Sequence, residues 1–402
     1  MRQFNIALGS AVAAVALAAA GTAFAQDVKI GVLLGFTGPL EALAPPIAAG
    51  AELAVAHVND QGGILDGQLI AVRGDSTCAD ATAAANAADR LINTEGVLAV
   101  MGAMCSGATM SAMNVAAKPS NTIMISPSAT SPALTTLDDN DLMYRTAPSD
   151  AYQGEVMARL IRSKGIDDIA IAYVNNDYGK GLADSLEAAF IAEGGTVAAK
   201  EQHEEGKADY RAEIGSLAAS GSINLVLITY AQGSGQTMLR QAIEGGDFVT
   251  FIGGDGMISD DLFAAMDASL LEGMIGTKPG TPEIPGAAAF NDLATAAGVD
   301  PTQVYAPQAY DAAFLLALAI QKNGGAERDG LSAALREVAT APGEAIGPGE
   351  WEKARSILDA GGDVNYEGAT GPLEFDEAGD VAGSILEMVV QGGTWVEVGQ
   401  AM

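Results

Sequence analysis

The fold is decided by residues 28–63, VKIGVLLGFTGPLEALAPPIAAGAELAVAHVNDQGG. Val28–Leu34 is a short, largely apolar run of strand character, and the Gly/Thr/Pro loop Gly35–Pro39 breaks it. Ala44–Asn59 carries a helix pattern that stops at Gln61-Gly62-Gly63, where glycine accepts the left-handed backbone that ends a helix. The unit then repeats. Gln68–Arg73 is a strand, Ala79–Asn93 an Ala-rich helix, Val97–Met101 a strand, Ser106–Ala117 a helix and Asn121–Ile125 a strand. Strands alternating with helices imply right-handed crossovers and a parallel sheet with helices on both faces.

The alternation restarts at Ala151–Lys164 and continues through strands at Asp168–Val174, Thr196–Lys200, Ile223–Tyr230 and Phe248–Ile252. The polar stretch Tyr144–Asp150 (YRTAPSD) separates the two series, and the Pro-rich run Thr277–Pro285 reads as a link. Helices at Gly286–Ala297, Ala306–Lys322 and Leu331–Val338 follow, then strands and turns over Asn365–Val398. The simplest arrangement is α/β, with two Rossmann-like lobes on parallel sheets joined by three crossing segments. Residues 26–147 and 277–377 form one lobe, and 148–276 and 378–402 the other. Ligands bind beyond the carboxyl ends of such strands, so the loops of both lobes line a hinged cleft.

Composition excludes several classes. Against 20 Lys+Arg stand 51 Asp+Glu, a net charge of −31, which argues against nucleic acid and anionic lipid as partners. Only 2 histidines, His57 and His203, and 2 cysteines are present, too few for a Cys/His metal site, and no nucleophile–base pair stands out. The chain reads as a binding protein without metal or cofactor rather than an enzyme. Gly31–Gly38 lacks dinucleotide-loop spacing, Gly253–Gly256 has no phosphate-loop Lys, and Gly233-Ser234-Gly235 is not a nucleophile elbow. Met1–Ala25 has a basic start at Arg2, an apolar stretch Ile6–Ala20 and Ala23-Phe24-Ala25, the pattern of a secretory signal peptide cut after Ala25. Export permits one disulfide, for which Cys78 and Cys105 are the candidates; two buried thiols are the alternative.

Four loops carry chemistry. Met101–Thr109 places Ser106 at a helix N-terminus, an arrangement suited to a small carboxylate or to simple capping. Ile125–Pro132 leaves Ser128, Ala129 and Thr130 between two prolines as hydroxyl and backbone donors. Asn175–Lys180 offers Tyr178, and Phe251–Met257 offers Asp255 among glycines, where a carboxylate can approach a ligand ammonium.

Together these loops resemble the periplasmic leucine/isoleucine/valine-binding proteins, the substrate-binding subunits of branched-chain amino-acid ABC transporters. The resemblance rests on Thr37-Gly38-Pro39, Val58-Asn-Asp-x-Gly-Gly63, Cys78 and Cys105 with Ser106 after them, Ile125-Ser-Pro-x-Ala-Thr130, Asp177-Tyr-Gly-x-Gly181 and Met238-Leu-Arg-Gln241. It implies a type I, Venus-flytrap binding protein: a periplasmic monomer that captures a small, aliphatic or branched-chain amino acid for a membrane-embedded permease. It also implies a Cys78–Cys105 disulfide, and an α-carboxylate held by Ser106 and Thr130 with the Ser128/Ala129 backbone. Tyr178 would contribute from the second lobe, and Asp255 would pair the ammonium where the family has Glu. Tyr230 is aligned to a second family tyrosine, and Phe36, Leu40 and Leu43 are candidates for the side-chain wall. Glu41 either enters the cleft and favours a polar or cationic ligand or is a surface acid. The alternatives are a sensory ligand-binding module, or a binding protein for another small carboxylate or amide.

Overall fold

The computed structural model describes residues 27–401 apart from Ala265 and Pro282; the signal-peptide reading of Met1–Ala25 lies outside the described residues. The first lobe is built on β1 (Val28–Leu34), β2 (Leu69–Asp75), β3 (Ala99–Gly102), β4 (Met124–Ser126) and β5 (Met143–Arg145). They form a parallel sheet in the order β2-β1-β3-β4-β5. The second lobe carries β6 (Asp168–Val174), β7 (Thr196–His203), β8 (Asn224–Ile228), β9 (Thr250–Gly253) and β10 (Ile275–Gly280). A small sheet follows, of β11 (Glu344–Ile346), β12 (Val364–Gly368) and β13 (Gly371–Pro372), and then β14 (Ser384–Gln391) and β15 (Thr394–Gln400). The last two join the second lobe, whose sheet runs β15-β14-β10-β9-β8-β6-β7.

Four of the parallel strands are buried along their whole length, as helix-covered sheets require: β3, β4, β5 and β8, whereas the edge strands β2 and β7 are partly exposed. The helix Ala306–Asn323 is buried from Ala306 to Gln321, which explains its lack of a polar face, and it packs on the helix Ala44–Asp60.

Three departures from the sequence reading matter. Met143–Arg145, assigned to a polar connection, is the fifth strand of the first sheet. Thr277–Pro285, read as a link, begins inside β10. That strand pairs with β9 only at Ile275 and Gly276, so Pro279, which has no N–H to give, sits where β14 is its one neighbour. The lobe boundary at 276/277 therefore cuts a strand, and the chain leaves the second lobe after Gly280. The boundary at 377/378 falls within a turn closed by Asp376 and Asp380, and Asp380 accepts from Arg145 Nε at 2.6 Å, so the final crossing begins beyond it.

Cys78 and Cys105 form a disulfide, tying the loop after β2 to the loop after β3 across 27 residues. A loop of this length restricts the unfolded chain by about 3–4 kcal/mol. Reduction should lower unfolding stability in urea by that amount and steepen the transition, because the released unfolded chain exposes more surface; a loss below about 1 kcal/mol would show that the bridge is not a stabilising staple.

Candidate functional site

The loops that leave the carboxyl ends of β1, β3 and β4 face those that leave β6, β8 and β9. Together they line a cavity between the lobes. Leu40, Leu43, Ile47 and Met104 give it an apolar wall. Ser106, Ser128 and Tyr305 stand at the first-lobe side, and Tyr178, Tyr230, Asp255 and Gly256 at the other. Two glycines let the lobes approach. A Cβ on Gly107 would stand 2.7 Å from Asp177 Oδ2, and one on Gly181 would stand 2.8 Å from Pro132 Cδ.

Ser106 opens the helix Ser106–Ala112 after a cap residue, Cys105, that offers no side-chain hydrogen bond. The first-turn N–H groups of a helix have no acceptor within it, and here they lie beside the cavity. Ser106 Oγ accepts from Ser131 N at 3.2 Å, which leaves its own proton to donate. Thr109 completes the turn by donating to the carbonyls of Ala103 and Cys105. This end suits an anion.

The opposite end is organised by Asp255, 6% exposed. Its Oδ1 accepts from Tyr178 Oη at 2.8 Å and from Gln153 Nε2 at 3.2 Å, and its Oδ2 accepts from Tyr305 Oη at 2.5 Å. Tyr178 stacks on Tyr230 with ring centroids 5.5 Å apart, and Asn176 Nδ2 donates to Tyr230 Oη at 3.0 Å. Burial raises the Asp255 carboxyl above its ordinary range, while the tyrosine and Gln153 donors pull it back. The same burial, with Asp255 alongside, pushes the phenols of Tyr178 and Tyr305 far up, so both remain donors.

Asp150 is the unexpected member. It is fully buried, one helical turn before Gln153, and the Thr130 hydroxyl is the one side-chain donor beside its carboxylate among the described residues. Burial, then the charge of Asp255, drives its carboxyl well above the usual range; the Thr130 hydroxyl and Arg145 oppose this. Asp311 provides the contrast. Equally buried, it accepts from Tyr366 Oη, Ala369 N, Thr370 N and Thr370 Oγ1, and even so burial raises it to about 6. An uncompensated buried carboxylate costs several kcal/mol, so burial favours Asp150 in its protonated form.

Several sequence expectations change. The Ser128 and Ala129 N–H groups, expected to meet a ligand carboxylate, are turned to Ser126 Oγ at 3.3 and 2.9 Å, the local competition typical of a serine two or three residues upstream. Ser128 Oγ donates to Met104 O. Thr130 Oγ1 is buried on the Asp150 side rather than beside Ser106. Phe36 lies outside the cavity, with Arg73 Cζ 5.1 Å over its ring. Glu41 is exposed on an outer groove with Pro39 and Gln232, because Leu40 and Leu43 take the inward positions of that loop. Asp150, Gln153 and Tyr305 were not anticipated. Asp150 follows Ser149 as an ordinary first-turn acid, and Tyr305 is far from the other loops in sequence. The one local mark of Tyr305, a left-handed backbone at φ 67°, is visible only in the structure.

The family model for the receptor family ligand binding region matches residues 47–390. The chain is 31% identical, over 89% of its length and 88% of the relative's, to a leucine-, isoleucine-, valine-, threonine- and alanine-binding protein of Pseudomonas aeruginosa. It is 29% identical, over 92% of its length and 88% of the relative's, to a chemotactic signal transduction system substrate-binding protein of Halobacterium salinarum. A solved leucine-binding protein of Thermotoga maritima shares the fold at a TM-score of 0.78 and 23% identity, covering 93% of this chain and 98% of that one.

A carboxyl whose folded pKa is raised contributes stability that is complete below the ordinary value of 3.8 and lost as pH rises through the folded pKa. The stability of the ligand-free protein minus that of Asp150→Asn should therefore fall as pH rises across that window, by at most about 1.4 kcal/mol per unit. Urea melts of both proteins check this; a difference that stays flat or grows with pH would contradict the assignment.

Proposed function

The chain belongs to the receptor ligand-binding-region family, among the leucine/isoleucine/valine-binding proteins, and from that premise we propose that it captures a small aliphatic amino acid between its lobes for an ABC importer. The observation that carries the reading is the cavity's polarity. An apolar chamber has a helix N-terminus with Ser106 on one side and the Asp255 carboxylate on the other, with Asp150 buried behind Asp255 and outside the lining. A zwitterion with an aliphatic side chain matches all three surfaces. Ser106 and the first-turn N–H groups take the α-carboxylate, Asp255 takes the ammonium beside Asp150, and Leu40, Leu43, Ile47 and Met104 take the side chain. Tyr178 and Tyr305 keep Asp255 aimed. Exclusion of water between the closed lobes strengthens both polar ends.

In this reading the protein is exported with cleavage after Ala25, works in the periplasm as a monomer, and hands its ligand to a membrane permease without turnover. Similarity to the Halobacterium chemotactic protein favours a second reading, presentation of the same ligand to a chemosensory partner. Amino-acid uptake by cells lacking this protein separates the two: lost uptake supports transport, and intact uptake with lost chemotaxis supports sensing.

Calorimetric titration with the proteinogenic amino acids should give binding to leucine, isoleucine or valine and none to arginine or glutamate. Ser106→Ala should weaken that binding by about tenfold to a hundredfold, the worth of a hydrogen bond to a charged group. Tight binding of a cationic side chain, or unchanged affinity in Ser106→Ala, would contradict the assigned orientation.

A further inference from the structure

The ammonium end holds two buried carboxylates and no free cation. Three of the positions at which Asp255 can accept are filled by Tyr178, Tyr305 and Gln153, whereas Asp150, completely buried, has only the Thr130 hydroxyl beside it. Among the described residues, the groups that act on Asp150 are neutral or acidic: Thr130 from the loop after β4, Asp255 from the loop after β9, and the phenols of Tyr178, Tyr230 and Tyr305, with Gln153 one turn along its own helix. The exception is Arg145 on β5, and its guanidinium is committed elsewhere. Nε and Nη2 are on Asp380, Nη2 is also on Thr135, and Nη1 is on the carbonyls of Ala129 and Ser131. Two carboxylates in this position cannot both ionise without a positive charge between them.

We propose that the ligand ammonium enters in exchange for a proton: the empty protein keeps one hydrogen ion on the Asp150–Asp255 pair, and capture of an amino acid expels it. This deepens the amino-acid reading above and rests on it. The proton belongs to the pair rather than to either residue, and the arriving charge need only reach Asp255 to displace it. Below the apparent pKa of the empty pair, affinity rises about tenfold per pH unit, because one proton leaves for each ligand bound; above it, affinity is level. A ligand with no ammonium has nothing to exchange, so proton release also distinguishes amino acids from simple carboxylic acids that fit the same wall.

Calorimetry with L-leucine, in two buffers of different ionisation enthalpy at several values from roughly pH 4 to 8, counts the protons directly. The expected result is release approaching one proton per leucine at the acidic end, falling toward zero as pH rises, and absent in Asp150→Asn. The wild-type count needs no variant, so the test stands even where Asp150→Asn does not fold. Leucine binding with the same heat in both buffers at every pH overturns the exchange while leaving the amino-acid reading intact. Absence of heat with leucine, isoleucine or valine overturns the reading itself, and the exchange with it.

Discussion

The structure turns on one buried carboxylate. Asp255 sits just past the end of β9 and collects donors from three separate parts of the chain: Gln153 in the helix that follows the first crossing, Tyr178 at the start of the helix after β6, and Tyr305 before the long helix Ala306–Asn323. Gln153 and Tyr178 belong to the second lobe and Tyr305 to the first, so the same oxygens that await a ligand also bridge the cleft. A charge-assisted hydrogen bond in a dry site is among the stronger polar contacts a protein makes, and it loses most when left unmade. In the proposed reading, closure and ligand recognition are set by the same group.

The chemistry at the two ends of the cavity is complementary in kind as well as sign. As proposed, the carboxylate end would use uncharged donors, the Ser106 hydroxyl and the open turn of a helix. These cost little to bury and have no countercharge to shed when the ligand leaves. The ammonium end uses formal charge, and more of it than a single ammonium needs. A site designed only for tight binding would hold Asp150 with donors, as Asp311 is held elsewhere in the same lobe structure. In the proposed exchange a proton balances the pair in the empty site and the ligand ammonium balances it in the filled one, which suits a protein that must both capture and release.

Much of this was legible in the sequence, and for identifiable reasons. The period of apolar runs places the two α/β series because buried parallel strands must be nearly continuous in apolar residues. The loops around Ser106, Tyr178 and Asp255 are visible because they follow those strands. Legibility failed where local chemistry and tertiary context part. Met143–Arg145 is too short to show a pattern, and β10 contains a proline that only its one-sided pairing tolerates. The Ser128 and Ala129 amides looked like ligand donors until Ser126 was found to accept them. Asp150 was hidden by composition: in a chain with 51 acidic residues, one more acid in the first turn of a helix carries no signal. Only its complete burial with a single hydroxyl donor beside it distinguishes it.

The central claim is that the cleft reads an ammonium as well as a carboxylate. The most direct measurement compares the affinity of L-leucine with that of 4-methylpentanoate, which keeps the side chain and carboxylate and lacks only the amino group. The account predicts that the analogue binds at least about a hundredfold more weakly at neutral pH, since it leaves the Asp150–Asp255 end unpaired. Equal affinity for the two would mean that these carboxylates do not recognise the ligand.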